Sequence, residues 1–99
     1  MLKNIQNSNR FSLDNVCTVF VKDCPETELF CAELPATSNE FYRAAQLGIK
    51  PNAVLLVDSE SYDGQDRARY NETVYSIFRY YPRSDGFTEL YLTIKTGVR

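Results

Sequence analysis

The groups with the most chemical capacity in this 99-residue chain are three thiols and one cluster of carboxylates. Cys17, Cys24 and Cys31 fall at equal spacing, but the chain has no histidine to complete a zinc set. An odd number of thiols, in a chain whose first ten residues lack the apolar stretch of a signal peptide, predicts reduced cysteines rather than a disulfide framework. They read as small semi-buried residues on two strands and the turn between them. Asp58, Glu60, Asp63 and Asp66 gather on one polar loop. Their spacing is not that of an EF-hand and helical flanks are missing, so a solvated acidic loop is expected in place of an ion site. Neither a metal nor a cofactor is expected.

The absence of His also removes every Ser-His-Asp or Cys-His arrangement and the commonest general base. Paired carboxylates remain, yet no pair is singled out by its setting, and so small a chain rarely holds a deep pocket. The four glycines, Gly48, Gly64, Gly86 and Gly97, are isolated, so no phosphate-binding loop exists. The expectation is that the protein is not an enzyme. Lys and Arg number 11 against 13 Asp and Glu, a formal charge of −2, which gives no overall drive toward nucleic acid. No apolar run approaches the length of a membrane span, so a soluble protein made in the cytoplasm is expected.

The elements that would position these groups follow from apolar periodicity. Residues 1–10 are polar, with Leu2 and Ile5 as apolar anchors, and residues 1–12 read as a flexible N-terminal arm on a domain of residues 13–99. Residues 14–21 carry a strand signature ended by Asp23, Cys24 and Pro25. A second strand over residues 29–36 is restricted by Pro35 to an edge or a bend. Thr37-Ser38-Asn39-Glu40 matches a capping box, Phe41, Ala44 and Ala45 give a narrow helical face, and Gly48 before Pro51 supplies a stop. After Pro51, the run Ala53-Val54-Leu55-Leu56-Val57 predicts a strand buried on both faces. Asn71-Glu72 joins a short strand to residues 73–81 in a hairpin, and Ser84-Asp85-Gly86 makes the next turn. In residues 87–95, Leu90, Leu92 and Ile94 alternate with Glu89, Tyr91, Thr93 and Lys95, predicting one buried and one wet face. The sum is a mainly β fold: a small β-barrel or sandwich of about six antiparallel strands with one short inserted α-helix.

Tyr75, Phe78, Tyr80, Tyr81 and Tyr91, with Arg79 and Arg83, have the residue types of a platform on which small barrels stack bases. Core and cross-strand packing is the preferred reading of these aromatics, because the acidic balance disfavours a phosphate-tracking groove. A single-stranded nucleic-acid-binding barrel is the alternative from another functional class.

Three stretches carry a more specific signal: residues 38–51 (SNEFYRAAQLGIKP), Tyr62-Asp63-Gly64, and residues 70–79 (YNETVYSIFR). In this order and spacing, over roughly residues 16–98, the chain resembles the head-closure (head–tail adaptor, stopper) proteins of long-tailed bacteriophages. One departure is Glu72, where relatives commonly place Gly after Asn in the hairpin turn. The resemblance implies a structural virion protein of the phage neck, assembled in the host bacterial cytoplasm. It would form a homo-oligomeric, dodecameric ring under the portal or portal-adaptor protein, close the DNA channel after packaging, and present a docking surface to a tail-terminator or tail protein below. Phage DNA would pass without sequence-specific binding, along a wall suited by acidic character, and no membrane is involved. A tail-terminator or tail-completion protein is a neighbouring alternative.

The resemblance further implies that the connection after the second strand is the part concerned with closure. The channel-facing and gating candidates are Glu40, Arg43, Gln46, Gly48, Lys50 and Pro51. For docking, the candidates are Tyr80, Tyr81 and Tyr91 together with Leu2, Ile5, Phe11, Val98 and Arg99 at the two termini.

Overall fold

In the computed structural model six antiparallel strands close into a barrel. Residues 12–35, 39, 43, 46, 48 and 51–94 are described. The strands are β1 (Asn15–Phe20), β2 (Thr27–Leu34), β3 (Ala53–Asp58), β4 (Arg67–Tyr70), β5 (Thr73–Pro82) and β6 (Phe87–Thr93), with a 3₁₀ turn at Ser59–Ser61. Around the barrel the order is β1-β2-β3-β6-β5-β4, and β4 returns to β1 through Thr18↔Arg69, Val19↔Ala68 and Phe20↔Arg67. The mainly β expectation is met, and barrel is the form it takes. Asn39, Arg43 and Gln46 are helical, at the positions where the inserted helix was expected. The remaining residues of that segment, Thr37 and Glu40 of its capping box included, lie outside the described residues, as does the arm over residues 1–11.

β2 is not an edge. It pairs with β1 on one side and β3 on the other, its two neighbours in sequence. Pro35 follows the last strand residue and so removes no ladder hydrogen bond.

The local turn chemistry explains the hairpins. Asn71 and Glu72 have φ of 52° and 67°, the two left-handed residues of a type I′ turn, whose twist matches that of the strands it joins. Asn adopts that conformation readily; Glu72 does so at a cost of about 1–2 kcal/mol. Between β5 and β6 the loop is Ser84-Asp85-Gly86, with Gly86 at φ 92° and the Arg83 N–H bonded to the Phe87 carbonyl at 2.8 Å. The Asp85 carboxylate ties the loop by accepting from the Phe87 N–H at 3.2 Å and from Arg83 at 2.9 Å.

Alternation along the strands sorts the apolar residues into two clusters. Cys17, Val19, Leu29, Cys31, Ala53, Leu55, Val57, Ala68, Tyr70, Ile77, Leu90 and Leu92 fill the barrel. Leu34, Val54, Leu56 and Tyr91, with Ala32, Phe78 and Phe87 against them, form a second cluster on the outside of β2, β3, β6 and β5. β3 feeds both, as its unbroken apolar run requires. β6 does too, so the wet face expected there is absent. Thr88, Glu89, Leu90, Tyr91 and Leu92 are all buried, because the outer side of β6 belongs to the second cluster.

The cysteines sit as the sequence suggested: Cys17 on β1 and Cys31 on β2, both buried, and Cys24 exposed in the turn. Cys17 opposes Leu29 and Cys31 opposes Asn15, so the two buried thiols are diagonal neighbours. That offset places Cα atoms about 7–8 Å apart, beyond the usual disulfide span. Donation to Cys17 and burial both push the Cys31 thiol up, so it stays protonated.

Candidate functional site

The most unusual group in the fold is a carboxylate on the outer face of β6. Glu89 is 2% exposed, and alternation puts it on the same face as Tyr91. Tyr91 donates its hydroxyl to Glu89 Oε1 at 2.6 Å, Arg43 Nη2 donates to the same oxygen at 3.0 Å, and Arg83 Nη1 lies 3.4 Å from Oε2. A buried carboxylate is tolerated only when its acceptor sites are met in this way. Burial, followed by the hydrogen bond to Glu89, pushes the Tyr91 phenol up to about 12, so it remains a donor.

β5 delivers the aromatic side of the site through an irregularity. Ile77 opposes Leu92, but Arg79 rather than Phe78 opposes Tyr91, so Phe78 is an extra residue in the ladder. Such a bulge shifts the alternation of the residues after it. Tyr80 then opposes Leu90 and meets the ring of Tyr62 edge-on at 5.3 Å, whereas Tyr81 opposes Glu89 and lies under the Arg43 guanidinium at 5.5 Å. Phe78 packs edge-on against Tyr91 at 6.3 Å.

Beside this cluster is an open cleft of about 430 Å³ lined by Asn39, Arg43, Tyr81, Arg83, Ser84, Asp85 and Glu89. Its two guanidiniums face two carboxylates, and Arg83 is tied to Asp85 at 2.9 Å as well as to Glu89. The charges balance, so the arrangement is suited to holding the segment that carries Arg43 against the barrel and ill suited to catching an anion.

The expected site residues fare differently. Arg43, a gating candidate, is brought to Tyr81 and Tyr91, both docking candidates. Gln46 and Gly48 are exposed, Gly48 at φ 80°, and Pro51 is half-buried. Glu40, Lys50, Leu2, Ile5, Phe11, Val98 and Arg99 lie outside the described residues. Tyr80 and Tyr81 are about half exposed, at 51% and 46%, and keep their place as surface candidates. Tyr91 does not, since it is 2% exposed and spends its ring on Phe78 and its hydroxyl on Glu89.

The residues of the base-stacking alternative do not share a face. Tyr75 packs against the barrel interior, Phe78 and Tyr91 belong to the outer cluster, and Tyr80 turns to Tyr62. Elsewhere Arg69 is held by both oxygens of Glu26 at 3.1 Å and stacks over Phe20. Among the described residues no three Cys, Asp or Glu side chains converge as a metal set would, those of the acidic loop included.

Sequence reasoning missed Glu89 as an organising group. The available signal was its position two residues from Tyr91 on one strand face, where carboxylate and phenol can meet.

Compared with known proteins, the chain matches no family model, no curated protein and no solved structure at significance.

Proposed function

We propose that the chain is a structural protein of a phage neck, a head-closure subunit that assembles as a ring under the portal or its adaptor. In this reading it closes the DNA channel after packaging and offers the tail its docking surface, without catalysis and without a cofactor. The observation that carries the reading is the link between β2 and β3. It is anchored at mid-length by Arg43 on a buried carboxylate, and it leaves through a left-handed Gly48 and then Pro51. In this reading Arg43 holds the connection to the rigid closed barrel beside the channel, and beyond Pro51 the Asn52 N–H bonds back to the Leu92 carbonyl of β6 at 2.8 Å. Gln46, Gly48 and Pro51, with Glu40 and Lys50, are the residues this reading assigns to the channel.

Support also comes from where the resembling stretches fall. Asn39, Arg43 and Gln46 are helical, Gly64 takes φ 82° in the loop after β3, and residues 70–79 make the β4–β5 hairpin.

The test is electron microscopy of phage particles assembled with and without the protein. Filled heads that leak DNA and stay tailless in its absence are the expected result. Intact tailed particles in its absence overturn the proposal.

A further inference from the structure

Two exposed patches lie on opposite staves of the barrel. In the closed order β1-β2-β3-β6-β5-β4, β2 and β5 stand three strands apart in either direction. On β2, Phe30 is 67% exposed and faces its cross-strand partner Val16, also exposed, on the outside of β1. A shallow groove beside it is lined by Leu13, Glu28, Leu29, Phe30, Asp58 and Ser61. On β5, Arg79 and Tyr81 are exposed on the outer face beyond the Phe78 bulge, opposite Tyr91 and Glu89 of β6.

The two patches are complementary in charge as well as in position. Glu28 and Asp58 flank Phe30, and neither makes an ion pair among the described residues. Arg79 likewise makes none, and it stands beside Tyr81, whose ring is half exposed. An apolar patch with an acidic border therefore lies opposite an aromatic patch with a basic border. Tyrosine and arginine are the residue types enriched where proteins meet, and opposed borders fix the register of the contact.

We propose that these patches are the two halves of one self-association interface, the Phe30 wall of one copy receiving the Arg79 and Tyr81 face of the next. Because the halves differ and face away from each other, the contact is head-to-tail, and it repeats until the rotation between copies closes a ring. The inference deepens the neck reading by naming the faces of its ring, and rests on that reading for its biological use.

Sedimentation velocity of the purified chain, up to millimolar concentration, tests it apart from any phage. The native chain is expected to associate in a concentration-dependent way. Phe30→Glu and Arg79→Glu, both at exposed positions, are each expected to weaken association at least about tenfold with an unchanged circular dichroism spectrum. Mixing the two variants is the deciding step: each keeps the half the other lacks, so the mixture stops at heterodimers. The double variant Glu28→Arg/Arg79→Glu, which exchanges the sign of one charge on each half, is expected to associate more strongly than Arg79→Glu alone. A native chain that stays monomeric, variants that associate like the native chain, or a mixture without heterodimers overturns the assignment. Those outcomes leave the neck reading to the particle experiment, and tailed particles formed without the protein would leave this interface standing.

Discussion

The Arg43 guanidinium donates to Glu89 at 3.0 Å across 46 positions of sequence, joining the segment between β2 and β3 to a strand near the far end of the chain. The pair is unequal, since Arg43 is half exposed and Glu89 is buried. Removing either partner therefore has different consequences. Glu89→Gln keeps the shape but loses the charge on two guanidinium contacts, and is expected to cost about 2 kcal/mol. Arg43→Ala leaves the carboxylate with Tyr91 and Arg83 and is expected to cost about 1–2 kcal/mol. In urea denaturation the double variant should lose less than the sum by about 1 kcal/mol. Strict additivity would show that the two side chains do not interact.

Glu72 holds φ 67° in the β4–β5 turn, a conformation that glycine adopts without penalty. Glu72→Gly is expected to stabilise the protein by about 0.5–1 kcal/mol, the relief of strain exceeding the added freedom of the unfolded chain. Thermal denaturation should show Tm rising by a few degrees. A fall in Tm would mean that the Glu72 side chain has a stabilising role of its own.

Three tyrosines set an alkaline limit. Burial first, then neighbouring Tyr80 and Asp66 for Tyr62, Glu33 for Tyr70, and Glu89 for Tyr91, push these phenols from 10 up to about 12. A raised folded value means the protonated form is favoured by the fold. The stability these groups contribute is thus complete below pH 10 and is lost as pH rises from 10 through 12. Unfolding followed by circular dichroism is expected to coincide there with the rise of phenolate absorbance. Substituting Phe for Tyr62, which donates to the Gln65 carbonyl at 2.6 Å, should cost stability at neutral pH and shrink the alkaline loss.

Thiol reactivity should separate the cysteines cleanly. Cys24 is exposed, whereas Cys17 and Cys31 face the barrel interior. In the native state one thiol is expected to react rapidly with a soluble aromatic disulfide, and all three after denaturation. Fast reaction of more than one native thiol would contradict the packing of β1 against β2.

Much of the fold was legible because burial leaves a periodic trace. The run from Ala53 to Val57 announced a strand covered on both faces, and Ser84-Asp85-Gly86 and Asn71-Glu72 announced turns, with Asn71 and Gly86 in the left-handed conformation those residue types favour. Two features left no such trace. Glu89 and Tyr91 have polar tips, so alternation on β6 suggests solvent where the fold supplies guanidiniums and an apolar cluster. The bulge at Phe78 changes the phase of β5, which separates Tyr80 from Tyr81 and breaks up the run of aromatics the sequence presents as one surface. Phe30 is exposed although apolar, because Leu29 and Cys31 on either side of it take the interior face, so residue type alone misreads its side of β2.

The position of β6 between β3 and β5 has a consequence for synthesis on the ribosome. β3, the most apolar strand, can pair with β2 as soon as it emerges, but its other edge has no partner until residues 87–93 have been made. Until then the strand AVLLVD presents an open edge and an uncovered apolar face, the combination that recruits chaperones or other nascent chains. Folding is therefore delayed until the sixth strand is available, and a fragment ending before Phe87 would be an aggregating species rather than a smaller barrel.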